Sequence, residues 1–188
     1  MRAARVEKFG PVDSHKFGDL PDPKPGPGEV LIDVHAIGVN FPDSLLVQGL
    51  YQVKPEHPFS PGRDAAGVVT EIGDGVTSVK IGDRVVTVYS FGAYAEQRVV
   101  PQERCFHLPD DVDFVTGAGM ATTYLTAWVA LMGRGAYQTG EKVLVLGASG
   151  GVGLAAVQIA KAHGAFVVAG TMDPAKSGDI IKASGADA

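Results

Sequence analysis

The sequence predicts a chain of mixed class, a small all-β barrel followed by the beginning of a parallel α/β layer. Two observations carry that expectation. Between residues 29 and 100, short apolar segments recur at close spacing with Gly-Asp turns between them, the pattern of a small antiparallel barrel. From residue 142 the pattern becomes an apolar strand, a glycine-rich turn, a helix-spaced segment and a second apolar strand.

Residues 1–11 read as a first strand and turn, and Pro21-Asp-Pro-Lys-Pro-Gly-Pro-Gly28 as an extended loop. Glu29 to Val39 alternates, with Val30, Ile32, Val34 and Ala36 on one side and Leu31, Asp33, His35 and Ile37 on the other. That is a strand with one face partly wet, and His35 reads as a surface residue because no second metal ligand sits near it. Gly38-Val-Asn-Phe-Pro-Asp43 opens a short helix, with Pro42 early and Asp43 near its positive end, and Gly49-Leu-Tyr51 closes it. Residues 52–62 form a proline-punctuated loop. Strands follow at Val68–Ile72, in Ile81–Val88 after its turn, and at Ala93–Val100.

From Asp113 to Met132 the residues Phe114, Ala118, Ala121, Leu125, Trp128, Val129 and Met132 fit one face of a helix. It leads out of the barrel, so the expected domains are 1–125 and 126–188, with a loop at residues 133–140. Val143–Leu146 is a continuous apolar block, which suits a strand buried on both faces. Gly147 to Gly153 is the turn; Val152, Ala155, Ala156, Ile159 and Ala160 then recur at helical spacing, and Phe166–Gly170 is the next parallel strand.

A strand, glycine turn, helix and strand within about thirty residues is the context that dinucleotide binding requires. The backbone can approach a pyrophosphate there, and the helix N-terminus offers free N–H groups and partial positive charge. Read as six positions, the fingerprint is Ala148-Ser149-Gly150-Gly151-Val152-Gly153, with alanine where the first glycine is usual. A buried turn whose glycines serve packing alone is the competing reading. The place about twenty residues on, which often carries a carboxylate for a ribose hydroxyl, holds Gly170 and Thr171. With Lys176 just beyond, NADPH is favoured over NADH. Asp173 works against a phosphate, and Lys176 reads equally as a solvated lysine starting a helix.

The 188 residues carry a net charge of −5 with acids and bases interspersed and no basic run, so nucleic acid is not an expected partner. Unbroken apolar runs fall short of a membrane span, and the N-terminus Met-Arg-Ala-Ala-Arg-Val-Glu-Lys has no hydrophobic stretch of a secretory signal. The single cysteine, Cys105, excludes an internal disulfide, fits a reducing cytoplasm and reads as a small buried hydrophobe.

Taken together, Gly38-Val-Asn-Phe-Pro-Asp43, Pro61-Gly-Arg-Asp-Ala-Ala-Gly-Val-Val69, Ile81-Gly-Asp-Arg-Val85, Gly92-Ala-Tyr-Ala-Glu96, Tyr124-Leu-Thr-Ala-Trp128 and the run from Gly140 to Gly153 resemble the medium-chain dehydrogenase/reductase superfamily, in its zinc-independent quinone oxidoreductase branch. The resemblance implies a GroES-like barrel, an incomplete Rossmann domain, NADPH as cofactor, and hydride transfer to a small-molecule quinone or enone. It places Asn40, Asp43 and Tyr51 near the nicotinamide as candidate catalytic residues. Asp43 reads also as a helix-start carboxylate and Tyr51 as a pocket wall. Thr126 falls near the phosphates, beside Ser149, Gly150, Gly151, Val152, Gly153, Gly170, Thr171 and Lys176 as the cofactor set. Arg63, Tyr124 and Trp128 read as core or interdomain residues.

Zinc-dependent relatives place a Cys soon after the Gly-Val turn and a Gly-His-Glu motif downstream; Asn40 and the Pro-Gly-Arg63-Asp64 stretch stand there instead, so no metal is expected. Family members run well beyond Ala188, so a truncated chain is expected, with open strands that favour a homo-oligomer. A nucleotide-binding or interaction protein without turnover is the alternative.

Overall fold

The computed structural model describes residues 1–188, which divide into two compact units, Met1–Thr122 and Thr123–Ala188.

In the first unit, β1 (Arg2–Arg5) pairs antiparallel with β2 (Lys16–Asp19). A five-stranded antiparallel sheet follows, built from β3 (Glu29–Gly38), β4 (Asp64–Ile72), β5 (Arg84–Val88), β6 (Gln97–Pro101) and β7 (Cys105–His107), in the order β6-β3-β4-β5-β7. Isolated pairings of Ala3 with Ala95 and Val6 with Phe59 stitch the β1-β2 ribbon to the segments flanking that sheet. The strands bury Val30, Ile32, Val69, Val85, Val100 and Cys105 against one another. Cys105 is accordingly buried, and that burial pushes its thiol up to about 12, the state of an inert thiol.

β2 and β7 lie outside the sequence expectation because each is short and its exposed residues break the alternation: Phe17 and Phe106 both face solvent. The alternation expected for β3 also fails at one end, where Val30, Leu31 and Ile32 are all buried. Register shifts between Leu31 and Ile32 and between Val34 and Ala36 account for it, since an inserted residue moves the following side chains to the other face. β4 begins at Asp64, four residues before the expected start, because Asp64-Ala-Ala-Gly67 pairs on both sides. The helix α1 (Phe41–Val47) starts with Pro42 in its first turn, as expected, and buries Leu46 and Val47 beside Val6 and Phe59.

α2 (Phe114–Trp128) continues as a π-helical turn over Val129–Arg134, so the expected loop from Gly133 begins as helix. Its buried positions are Gly117, Ala118 and Ala127; Leu125, Trp128 and Val129, expected to face a core, are half exposed. Small residues let a helix approach its neighbours closely, and the larger apolar side chains are left outside. Together the α-helical and π-helical segments give a 21-residue helix whose most apolar 18 residues have a mean hydropathy of 1.2, long and apolar enough to cross a membrane by length and composition, although no unbroken apolar run approaches that length.

In the second unit β8 (Lys142–Leu146) and β9 (Phe166–Gly170) pair in parallel, joined by α3 (Gly151–Ala162), and α4 (Pro174–Ala183) follows. α3 buries Ala155, Val157, Ile159 and Ala160, while Val152, expected on the apolar face, is partly exposed. β8 is not buried on both faces. Val145 is covered by α3 and its neighbours, but Leu144 is 63% and Leu146 77% exposed, and Phe166 stands open beside them. Side chains alternate across a strand, and within this unit only one face of the two-stranded layer has a helix against it. After α4 the chain returns to β9: Asp187 takes the Val167 N–H and the Lys161 ammonium, and the Ala169 N–H donates to the Ala188 carbonyl.

Candidate functional site

The turn between β8 and α3 is a bare backbone bend. Gly147 takes a positive φ of 68°, Ala148 is fully buried and donates its N–H to Gly170 at 3.0 Å, and Gly150 is the N-cap of α3 with no side chain capping it. The alanine that departs from the expected fingerprint thus ties the turn to the end of β9. Gly153 has no room for a side chain: a Cβ there would lie 2.3 Å from the Gly147 carbonyl oxygen and 2.7 Å from the Ala148 Cα. The first turn of α3 therefore lies directly against the bend, and its leading N–H groups need a partner from outside the helix. An anion is the natural one.

A cavity of about 660 Å³ opens beside this bend, and Gly147, Ser149, Gly170, Thr171, Asp173 and Lys176 line it. Four of the expected cofactor residues, Ser149, Gly170, Thr171 and Lys176, are therefore brought together. The Thr171 hydroxyl lies 2.9 Å from the Ser177 hydroxyl and 3.5 Å from that of Ser149, so three hydroxyls line one wall. Asp173 also borders the cavity, but its carboxylate caps α4 by accepting the Lys176 N–H at 3.1 Å. The acid thus has a local task that holds the lysine backbone in place. Thr126 is exposed on α2, and Trp128 packs its ring edge-on against His163. Tyr124 donates its hydroxyl to Gln158.

The other expected residues belong to the first unit. Asn40 is the N-cap of α1: its N–H donates to Asp43 Oδ2 at 2.8 Å, and the Asp43 N–H returns to the Asn40 carbonyl at 3.0 Å. The Asn40 side chain donates through Nδ2 to Asp64 Oδ2 at 2.9 Å. Asp43 is buried, and the Tyr94 hydroxyl donates to its Oδ2 at 2.9 Å while Oδ1 has no partner. Burial raises the Asp43 carboxyl above its ordinary range, against the pull of the Asn40 N–H and the Tyr94 hydroxyl. Burial, with the carboxylate beside it, likewise raises the Tyr94 phenol. Tyr51 packs beside Val6, Leu46, Val47 and Phe59, and the Arg63 guanidinium lies 5.8 Å from its ring centre.

Two members of this cluster, Asp64 and Tyr94, were not singled out from the sequence, although both lie in the segments that carry the family resemblance. A charged residue opening the apolar strand Asp64-Ala-Ala-Gly-Val-Val was the available signal, because a buried charge must be hydrogen-bonded or paired. Nearby, Arg98 is also buried, and its fork reaches the Arg63 carbonyl at 2.9 Å, the Thr87 hydroxyl at 3.0 Å and the Phe91 carbonyl at 3.1 Å. Burial lowers this guanidinium to about 10. No group of three or more His, Cys, Asp or Glu side chains stands together as a metal would require. His35 is exposed and stacks on Phe114, with 4.6 Å between ring centres.

An antiparallel β unit followed by a parallel β-α-β unit with a naked glycine bend is an arrangement able to hold a dinucleotide, and the relatives and structural neighbours of the chain lie in the medium-chain dehydrogenase/reductase superfamily. Residues 26–110 match the alcohol dehydrogenase GroES-like domain. The chain is 43% identical to a quinone oxidoreductase of Sus scrofa over 188 residues, an alignment that covers 99% of this chain and 57% of the relative. Among solved structures, the Escherichia coli quinone oxidoreductase complexed with NADPH superimposes with a TM-score of 0.88 at 31% identity, over 99% of this chain and 57% of that one. A cobalt- and zinc-bound thermostable alcohol dehydrogenase from Pyrobaculum aerophilum gives a TM-score of 0.89 at 36% identity, over 100% of this chain and 64% of that one. The chain thus spans a little over half the length of the curated relatives it matches.

Proposed function

We propose that this chain carries the barrel unit and the pyrophosphate-binding half of an NADPH-dependent oxidoreductase that reduces a quinone or enone without a metal. The single observation that carries the reading is the bend at Gly147–Gly153: a Cβ at Gly153 would fill it, no side chain caps the helix behind it, and a cavity lined by Ser149, Thr171 and Lys176 adjoins it. These features fit a dinucleotide. The N–H groups of the first turn of α3 would hold the pyrophosphate, and the hydroxyls of Ser149 and Thr171 with the Lys176 ammonium would hold a ribose phosphate.

When bound, NADPH supplies a hydride to an electron-poor carbon of the acceptor. A proton must follow to complete a hydroquinone or a saturated ketone. The donor set for a zinc ligand cage is lacking, which supports polarisation of the acceptor by hydrogen bonds. Asn40, whose amide can reach the cofactor carboxamide as well as the acceptor, is the candidate for the nicotinamide end, and Tyr51 for the pocket wall. Asp43, buried and committed to Asn40 and Tyr94, fits a supporting role. We place the protein in a reducing compartment such as the cytoplasm, where the one buried thiol is stable.

A second reading, nucleotide binding without turnover, is favoured by the open face at Leu144, Leu146 and Phe166, which also favours self-association. One experiment separates the two. NADPH oxidation is followed by absorbance with a simple quinone, beside a measurement of particle size. Turnover in one defined oligomer supports the reductase; saturable NADPH binding with no turnover supports the second reading. Absence of any NADPH binding rejects both.

A further inference from the structure

The Asp64 carboxylate is fully buried, at 0% exposure, and no lysine, arginine or histidine pairs with it. Its oxygens accept from Asn40 Nδ2 at 2.9 Å, from the Thr122 N–H at 3.0 Å and from the Thr122 hydroxyl. Three elements therefore meet on this one carboxylate: the N-cap of α1, the start of β4 and the middle of α2. The end of β3 closes on the same point. At Gly38 a Cβ would lie 2.5 Å from the Ala118 carbonyl oxygen and 2.9 Å from Asp64 Cβ, so only glycine permits that approach.

The buried Arg98 guanidinium acts on Asp64 only through space and makes no ion pair with it. Burying a carboxylate with no cation in direct contact is expensive even when it is hydrogen-bonded, and an apolar residue would hold three packed elements together at lower cost. What an apolar residue cannot do is orient an amide. The terminal torsion of asparagine is broad and roughly two-fold, so an unheld amide exchanges its oxygen and nitrogen ends. Opposite an anionic oxygen only the nitrogen end is tolerated, because the flipped amide would place two acceptors 2.9 Å apart.

We propose that Asp64 is the positioning residue of the nicotinamide half of the site, acting through Asn40 by locking the orientation of its amide. The proposal rests on the cofactor reading above, in which Asn40 serves the nicotinamide end and the Ser149–Lys176 cavity serves the adenosine end. The lock predicts that Asp64 contributes to binding of the whole dinucleotide and not to binding of its adenosine half.

The test uses the full chain and two probes: NADPH, and adenosine 2′,5′-bisphosphate, which lacks the nicotinamide. Dissociation constants are measured by calorimetry for the wild type, Asp64→Ala and Asp64→Asn. In Asp64→Asn the new amide oxygen still accepts from Asn40 Nδ2 and the Thr122 N–H, and the Thr122 hydroxyl rotates to accept from the new NH₂ group. Asp64→Ala is expected to weaken NADPH about 3- to 10-fold, the loss of one net hydrogen bond, with the bisphosphate unchanged. Asp64→Asn is expected to restore NADPH to within about threefold of wild type on the same scale. Equal weakening of both probes, or no change in either, overturns the positioning role. Failure of the wild type to bind the bisphosphate rejects the cofactor reading instead.

A second measurement needs no variant. In nitrogen-15 spectra of the wild-type chain the Asn40 side-chain NH₂ is expected to exchange with solvent about tenfold or more slowly than the exposed Gln amides, as a net hydrogen bond requires. Exchange at the rate of the exposed amides overturns the lock even if Asp64→Ala does not fold.

Discussion

The glycine bend makes a pair of opposed predictions from two glycines three residues apart. At Gly153 a methyl group would sit 2.3 Å from the Gly147 carbonyl oxygen and 2.7 Å from the Ala148 Cα, both backbone atoms. Ordinary contact is about 3.5 Å, so the bend and the helix must part by about an ångström. Overpacking of this kind costs about 1–3 kcal/mol, which in a chain of this size lowers the midpoint of thermal unfolding by about 2–4 °C per kcal/mol. At Gly150 the nearest atom to a new methyl, the Gly147 carbonyl oxygen, is 3.5 Å away, and φ is −82°, a value any residue adopts. Gly150→Ala therefore leaves the fold intact, but its methyl occupies the surface that a pyrophosphate must approach. The expected outcome is a lowered melting temperature with weak NADPH binding for Gly153→Ala. For Gly150→Ala an unchanged melting temperature and NADPH weakened about tenfold, or 1.4 kcal/mol, are expected. Differential scanning calorimetry and cofactor titration read the two quantities separately. Wild-type NADPH affinity in a folded Gly150→Ala chain would refute the assignment of the bend to phosphate, and an unshifted Gly153→Ala would refute the packing argument.

Two further outcomes follow from the same geometry. Lys176→Ala is expected to weaken NADPH about tenfold, near 1.4 kcal/mol for an exposed charge-assisted contact, while leaving NADH binding unchanged; equal effects on both would detach the lysine from the ribose phosphate. Asp43 has a folded-state pKa above its ordinary value of 3.8, so folding favours its protonated form. Its contribution is complete below that ordinary value and is lost as pH rises through the folded value. Asp43→Asn keeps acceptors for the Asn40 N–H and the Tyr94 hydroxyl and removes the buried charge. Urea unfolding should show it gaining stability relative to wild type from about pH 4 upward; a difference independent of pH would show that the charge is not what burial opposes.

The local grammar of the chain was legible without a structure. Proline at the start of α1, the Gly-rich bend after Val143–Leu146 and the apolar spacing around Ala155 and Ile159 each encode an element by short-range sterics, and each element formed. Part of the proposed cofactor set came together for the same reason: Ser149 and Thr171 follow the ends of adjacent parallel strands, so pairing Leu146 with Gly170 brings them to one cavity, whereas Thr126 does not line it. Burial was less legible. The stripe Leu125, Trp128 and Val129 has helical spacing but lies half exposed, whereas Ala118 and Ala127 carry the contact. Periodicity reports that a segment has an apolar side and not which neighbours meet it. The β8 strand shows the same limit, since continuous apolar sequence cannot say whether one face or two will be covered.

By itself the sequence determined the order of the longer strands and helices and the glycine bend, because both depend on residues close together in the chain. Only the tertiary structure decided that Asp64, Tyr94 and Thr122 gather around Asn40 and Asp43. Those contacts join residues 24 to 58 positions apart, and a hydrogen bond over such a separation exists only once the sheet and helix packing has placed its two ends.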